Sequence, residues 1–363
     1  MTTNSKNSNS KNSNSQNASF KNNSSKNHDS IAMTNIENQN LEQISAPTNN
    51  ARAIIINVDD LGLSEAVNHA VIRLAERGLI GASSYMVGGN ISTDDTNRLS
   101  ELKVDVGLHL DLTGIFPSAL LGSLKPLLIT SYLRRLKPLI VTDIINRQLD
   151  RFADTFGRAP VFIDGHQHIH QFPIVRQQLI KALDTRFGDN NDSAQNAICA
   201  RVTTPLVNDL KSQVIYRLGG KAWRKLCADN NITTNDKFGG VYGFDADTEQ
   251  LSVLWDQWLS AAPRTRFLTP GLHNLATHLA PQGTYSQYGS TTPAIHSVPL
   301  GLPRDIKTSL IMCHPAAPDN SWHDDIKQAR EREFEWLMSY QFEDLLLQNE
   351  VRLMSWSDIA KGN

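Results

Sequence analysis

Apolar and polar positions change period repeatedly along this chain. Ala53-Ile54-Ile55-Ile56-Asn57-Val58 is a nearly continuous apolar run, the kind a strand covered on both faces needs. The period then lengthens: Val67, Val71, Ile72, Leu74 and Ala75 recur at helical spacing behind Ser64, a good N-cap, and Gly78 closes the run. Ala82 to Val87 reads as the next strand, and strand, helix, strand with short connections predicts a parallel, right-handed βαβ unit. The same alternation predicts a helix over Asp94–Leu102 and a strand over Val104–Leu112. A short helix and loop follow within Leu120–Ile140, then an amphipathic helix over Val141–Phe156 that turns Ile144, Ile145, Leu149 and Phe152 to one side. Further strands are expected at Pro160–Ile163, Ala200–Val202, Phe267–Pro270 and Ser309–Pro315, with an edge strand at Val351–Met354. Helices are expected at Ile174–Phe187, over much of Asn208–Asn230, and at Glu331–Leu347, and Thr284–Thr308 reads as a surface loop. Strand-then-helix repetition of this kind predicts an α/β fold, a single barrel or barrel-like domain.

Composition adds a boundary. Residues 1–50 are dominated by Asn, Ser, Lys and Gln, with too little apolar surface to offset a backbone ordering entropy of roughly 1–2 kcal/mol per residue. They are expected to form a disordered extension ahead of a domain spanning 51–363. The extension has neither the apolar core of a secretory signal nor any Arg for a mitochondrial transit pattern. Net charge is −2 with no basic stripe, which argues against nucleic acid as a partner. No apolar run reaches the roughly 18 residues of a membrane span. Three scattered cysteines, Cys199, Cys227 and Cys313, suit a reducing compartment, so a cytoplasmic location is expected.

The candidate chemistry sits where predicted strands end. Asp59-Asp60 follows the first strand, His109 the third, Asp164-Gly165-His166-Gln167-His168-Ile169-His170 the fourth, and His314 the last clear one. In parallel α/β sheets and barrels these ends converge on one rim. Adjacent carboxylates disfavour double ionisation unless a cation lies nearby, so one Asp suits a metal and the other acid/base work. Alone, His109 reads more readily as a packed core histidine than as a ligand. His166, His168 and His170 alternate and would share one side of an extended segment; if the strand stops at Asp164, only His166 faces the rim. Asp164 is placed to orient an imidazole from behind, and His314 to hold or release a proton near pH 7. A mixed Asp/His set suits one divalent ion, Zn²⁺, Mn²⁺, Co²⁺ or Ni²⁺ and less comfortably Mg²⁺; Zn²⁺ and Mg²⁺ are the two expected here. No glycine-rich phosphate loop, Cys-x-x-Cys pair or Gly-x-Ser-x-Gly elbow is present.

Taken in order, four segments resemble the YdjC-like family of carbohydrate deacetylases, the ChbG/HpnK type. They are Asn57-Val58-Asp59-Asp60-Leu61-Gly62-Leu63-Ser64, Gly107-Leu108-His109-Leu110, Asp164 to Pro173, and Met312-Cys313-His314-Pro315, with Arg330 to Leu337 agreeing as well. The resemblance implies a distorted (β/α) barrel and removal of acetyl groups from N-acetylated sugars or glycolipids. It also implies Asp60, His109 and His166 as metal ligands, Asp59 as the general base, and His314 as the acid. Asp164, His168, His170 and Arg201 are expected around the substrate or behind the ligands, and the resemblance is compatible with a homodimer. Leu61 stands where the family usually has an aromatic residue and Val58 where it has Ala, which bears on substrate shape rather than chemistry. Residues 188–308 match weakly. Two other readings stay open: a metal-dependent phosphoesterase, for which Arg201 is the visible phosphate-binding cation, and a catalytically inactive sugar-binding barrel.

Overall fold

The first strand is longer than its apolar run. In the computed structural model, which describes residues 48–117, 122–188, 198–268 and 306–362, β1 spans Thr48–Leu61. The Asn/Ser-rich extension before Thr48 and nearly all of the predicted Thr284–Thr308 loop lie outside the described residues. The chain continues with α1 (Glu65–Glu76), β2 (Ala82–Tyr85), α2 (Thr93–Glu101), β3 (Asp105–Leu110), α3 (Leu124–Tyr132), α4 (Pro138–Phe156) and β4 (Phe162–Gly165). Then come α5 (Val175–Phe187), β5 (Cys199–Ala200), α6 (Leu210–Ile215), α7 (Lys221–Asp229), β6 (Lys237–Gly239), α8 (Thr248–Ala261) and β7 (Arg264–Leu268). The last described elements are β8 (Ser309–Cys313), α9 (Lys327–Leu337), α10 (Tyr340–Gln348), β9 (Val351–Leu353) and α11 (Trp356–Gly362).

Parallel pairing runs in the order β5-β4-β3-β2-β1-β8-β6. The two ends meet through isolated parallel bridges, Ala200 with Thr234 and Pro205 with Phe238, so the seven strands close into a distorted (β/α) barrel. β7 pairs antiparallel with the start of β1, and β9 pairs parallel with it.

Each helix has a local cause. Ser64 caps α1 by accepting from the Val67 amide, and Asp247 with Gln250 forms a capping box on α8. Pro138 opens α4, and Gly157 closes it at φ 64°, a conformation in which a Cβ is costly. The single closing helix expected over Glu331–Leu347 is instead two: Ser339 caps a new helix by accepting from the Phe342 amide. β6, α8 and α11 were not expected; β6 is too short to show a period, and α8 falls in the weakly patterned middle of the chain.

Strand parity sorts the core. Ile54, Ile56 and Val58 of β1 pack outward with Val106, Leu108, Ile163 and Ile311 against the helices. Ala53 and Ile55 point inward with Ala82, Phe162, Cys199, Phe238, Leu310 and Met312, and the interior is floored by Trp356. Gly107 keeps this floor open: a Cβ there would lie 2.6 Å from the Phe162 ring, itself stacked on Trp356 at 4.9 Å. Gly107→Ala is therefore expected to cost about 1–3 kcal/mol by overpacking, measured as a lower urea midpoint with an unchanged slope.

Candidate metal centre and active site

Continuing each inward row toward the carboxyl end of its strand replaces apolar side chains with polar ones. Asn57 and Asp59 follow Ile55 on β1, Ser84 follows Ala82 on β2, and His109 follows Gly107 on β3. Asp164 follows Phe162 on β4, Arg201 follows Cys199 on β5, and His314 follows Met312 after β8. Period-two alternation thus delivers polar groups from six of the seven parallel barrel strands to a single layer above the apolar floor.

Arg201 lies at the centre of this layer and is fully buried. Its guanidinium donates to Asp59 Oδ2 at 2.8 Å and Oδ1 at 2.5 Å, and also to Asp164 Oδ2. Asn57 Nδ2 adds a third donor to Asp59 Oδ1 at 2.7 Å. Burial pushes the Asp59 carboxyl up, but Arg201 and the nearby imidazoles outweigh it and hold the group below the usual carboxylate range. Asp164 in turn accepts from His109 Nδ1 at 2.6 Å. A carboxylate bonded by a guanidinium can only accept, so Nδ1 carries a proton and Nε2 of His109 is directed the other way.

That Nε2 faces Asp60. Asp60 has φ 69°, a left-handed conformation that Asp tolerates better than most residues, at the point where the β1–β2 register shifts. Strand parity would put Asp60 in the outward row with Val58, and the turn instead brings its carboxylate round toward β3 and β4. Asp60 Oδ1 lies 3.3 Å from His109 Nε2 and 3.1 Å from His166 Nδ1, while Oδ2 accepts from Arg330 Nη2 at 2.7 Å. Burial pushes Asp60 up as well, yet Arg330 and His166 hold it well below the ordinary range.

Two groups of ligand atoms are close enough to share an ion: Asp60 with His109 and His166, and Asp59 with His109 and Asp164. Arg201 decides between them. A cation among Asp59 and Asp164 would face a guanidinium already bonded to both, whereas Asp60 Oδ1 and the two ring nitrogens face no cation directly. Metal–ligand bonds near 2.1 Å place neighbouring donors about 3.0–3.4 Å apart, as the Asp60–His109 and Asp60–His166 separations are. The donor set therefore fits one divalent ion.

The histidine cluster divides. β4 ends at Gly165, and His166–Gln171 forms a tight 3₁₀ turn with Gln167 and His168 in left-handed conformations. The three histidines consequently do not share one side. His166 reaches Asp60, and His168 lines the cavity beside Phe238 at 5.4 Å, with burial and Arg201 lowering it to about 3. His170 packs against Trp223 and the Arg201 carbonyl beneath the turn, outside the cavity lining. Arg201 likewise sits under the site rather than in its lining, so it touches Asp59 and Asp164 and no bound substrate.

Above this layer is a cavity of about 840 Å³. Asp59, Asp60, His109, His166 and His314 are at its polar end, and Leu210, Val214, Tyr242 and Phe244 are among its apolar walls. His314 Nε2 lies 3.8 Å from Asp59 Oδ2, too far for a hydrogen bond, so the two groups stand side by side at the cavity end without bonding each other. Arg330, Glu333 and Tyr242 were not singled out as site residues from sequence. Arg330 and Glu333 lie in a charge-rich helix whose pattern resembles a solvated face, and only burial separates them from their exposed neighbours.

The family described as YdjC-like protein matches residues 53–348. The chain belongs to the YdjC-like family. Among curated relatives, a chitooligosaccharide deacetylase of Enterobacter sp. (strain 638) is 30% identical over 132 residues, covering 34% of this chain and 52% of the relative. One of the same name from Salmonella paratyphi B is 32% identical over 131 residues, with the same coverage of 34% and 52%. The chain thus spans about half the length of the curated relatives it matches. A crystal structure from Enterococcus faecalis V583, of a protein assigned provisionally to cellobiose-phosphate cleavage, superposes with a TM-score of 0.53. It is 18% identical and covers 84% of this chain and 98% of that one, which bears on the fold alone. Among the described residues, no helix of this YdjC-like chain is long and apolar enough to cross a membrane.

Proposed function

We propose that this chain is a metal-dependent hydrolase that removes the acetyl group from an N-acetylated sugar or glycolipid. One observation carries the reading: the Asp60–His109–His166 donor triangle shares a cavity end with the separated Asp59 and His314, in a family member whose matched relatives are named chitooligosaccharide deacetylases. Asp60, His109 and His166 would hold the ion, with Zn²⁺ and Mg²⁺ as the candidates. A divalent ion there would lower the pKa of a water toward about 7 and polarise the acetamide carbonyl.

The residues of the chain supply the proton transfers. Arg201 and Asn57 keep Asp59 ionised and fixed, so it is ready to accept a proton from the attacking water. His314 sits across a 3.8 Å gap from Asp59 Oδ2, where it can return a proton to the departing amine nitrogen. Asp164 holds His109 in one tautomer and therefore in one orientation. A phosphoesterase reading fares worse. Both guanidiniums beside the site already serve carboxylates, Arg201 with Asp59 and Asp164, Arg330 with Asp60 and Asp324.

Protein treated with chelator should release no acetate from N-acetylglucosamine oligomers and should recover when Zn²⁺ or Mg²⁺ is returned. The Asp60→Ala, His109→Ala double variant is expected to lose at least about 100-fold in kcat and to stop responding to added metal. Acetate release at the wild-type rate by that variant would rule out the assigned ligands. Binding of the oligomers without acetate release by the metal-loaded wild type would favour an inactive sugar-binding barrel.

A further inference from the structure

Helix α9 buries two charged side chains one turn apart: Arg330 and Glu333 are 3% and 2% exposed. Arg and Glu are almost never buried this far unless a partner requires it. Their partners converge on the short backbone stretch from His314 to Ala316. The His314 N–H donates to Glu333 Oε2, Arg330 Nη1 donates to the His314 carbonyl at 3.4 Å, and the Ala316 N–H donates to the Arg330 carbonyl at 3.1 Å. The same two side chains also bond residues that line the cavity. Glu333 Oε1 accepts from the Tyr242 hydroxyl at 2.5 Å, and Arg330 donates to Asp60 Oδ2 at 2.7 Å and to Asp324 Oδ2 at 2.6 Å.

The His314 imidazole itself is lightly held. Nε2 stands 3.8 Å from Asp59, Nδ1 has no hydrogen-bond partner among the described residues, and the ring contact is an edge-on one with Phe244 at 5.2 Å. With no hydrogen bond on the ring among the described residues, its orientation depends on the backbone from which it springs. A displacement of about 1 Å in such a group can cost about 100-fold in rate.

We propose that Glu333 and Arg330 are positioning residues that clamp the His314 backbone from both sides, Glu333 at its N–H and Arg330 at its carbonyl, and so fix the imidazole opposite Asp59. This rests on the reading of His314 as the proton donor. The clamp also links the donor to the metal centre, because one guanidinium touches both the His314 carbonyl and Asp60.

The test compares Glu333→Leu, which removes the acceptor at similar volume, with Glu333→Gln. The glutamine amide can still accept from the His314 N–H through its oxygen while its NH₂ group donates to the Tyr242 oxygen. Glu333→Leu is expected to lower kcat on N-acetylglucosamine oligomers about 100-fold with KM held within about twofold, and Glu333→Gln to restore kcat. A second readout needs no activity: hydrogen exchange at the His314 amide in full-length, metal-free protein. That amide should be protected in wild type and in Glu333→Gln and exposed in Glu333→Leu. Should Glu333→Leu fail to fold, Arg330→Lys carries the test. Lysine keeps the charge but cannot span Asp60, Asp324 and the His314 carbonyl, so kcat should fall with KM little changed. Wild-type kcat and unaltered His314 exchange in the folded variant would overturn the clamp and leave the deacetylase reading standing. A wild-type enzyme that releases no acetate, with His314 exchange still responding to Glu333→Leu, would overturn the deacetylase reading and support the clamp.

Discussion

Arg201→Met is expected to destabilise the barrel by about 3–5 kcal/mol, a loss large enough to unfold a domain of ordinary stability. Asp59, Asp164 and Arg201 are all buried, and the guanidinium bonds both carboxylates at once. Methionine of similar length leaves two buried carboxylates with only the His109 imidazole, bonded to Asp164, close enough to compensate them. The cost is therefore the desolvation of carboxylates left short of positive charge rather than the loss of one ion pair. Arg201→Lys should fall in between, because an ammonium can approach one carboxylate closely but lacks the planar fork that spans two. Urea denaturation of metal-free protein measures both. A midpoint for Arg201→Met within error of wild type would show that the two carboxylates find protons or other donors without strain.

Metal-free protein is expected to lose stability as pH rises from about 6.5 toward 10. Burial pushes the His109 imidazole down, but the carboxylates of Asp164, Asp60 and Asp59 outweigh it and raise the group to about 10. A folded-state pKa above the unfolded value of about 6.5 means that the folded protein binds the proton more tightly. The contribution is then fully present below 6.5 and is lost as pH climbs through 10. Asp59 and Asp60 have the opposite sign: held low, they stabilise above the ordinary carboxylate range and lose their contribution only in strong acid. The proton on His109 also competes with an ion, since a ligating imidazole must be neutral. Apparent metal affinity should accordingly rise by up to about tenfold per pH unit across the same window, as one proton is released on binding. Thermal midpoints of chelated protein against pH, with calorimetric titration of Zn²⁺ at several pH values, measure both effects. A flat midpoint between pH 7 and 10 would mean that His109 is neutral in the metal-free protein.

Much of the barrel was legible from period alone. The apolar run of β1, the Ser64 cap and the Val141–Phe156 stripe are local consequences of strand and helix geometry, and the structure has them close to where they were expected. Elements went unseen where the signal was short or tertiary. β6 covers three residues, α11 covers seven, and the break between α9 and α10 turns on a single serine hydroxyl. The His166–His170 row was the most visible polar pattern in the chain and the most altered by folding, because its alternation had meaning only while the backbone stayed extended.

Spacing alone put candidate polar side chains at the ends of strands, Asp59, Asp60, His109, Asp164, His166 and His314, with Arg201 inside a further one. Strand parity is a local property, so the inward placement of Asp59, His109 and Asp164 follows from their spacing once the strands are known. How these groups are paired was settled by folding. Arg201 closes off Asp59 and Asp164 to a cation, the left-handed turn at Asp60 brings its carboxylate to His109 and His166, and α9 sends Arg330 and Glu333 back to the site from far along the chain. Charge compensation acts through space across hundreds of residues of sequence, and no spacing within a segment records it.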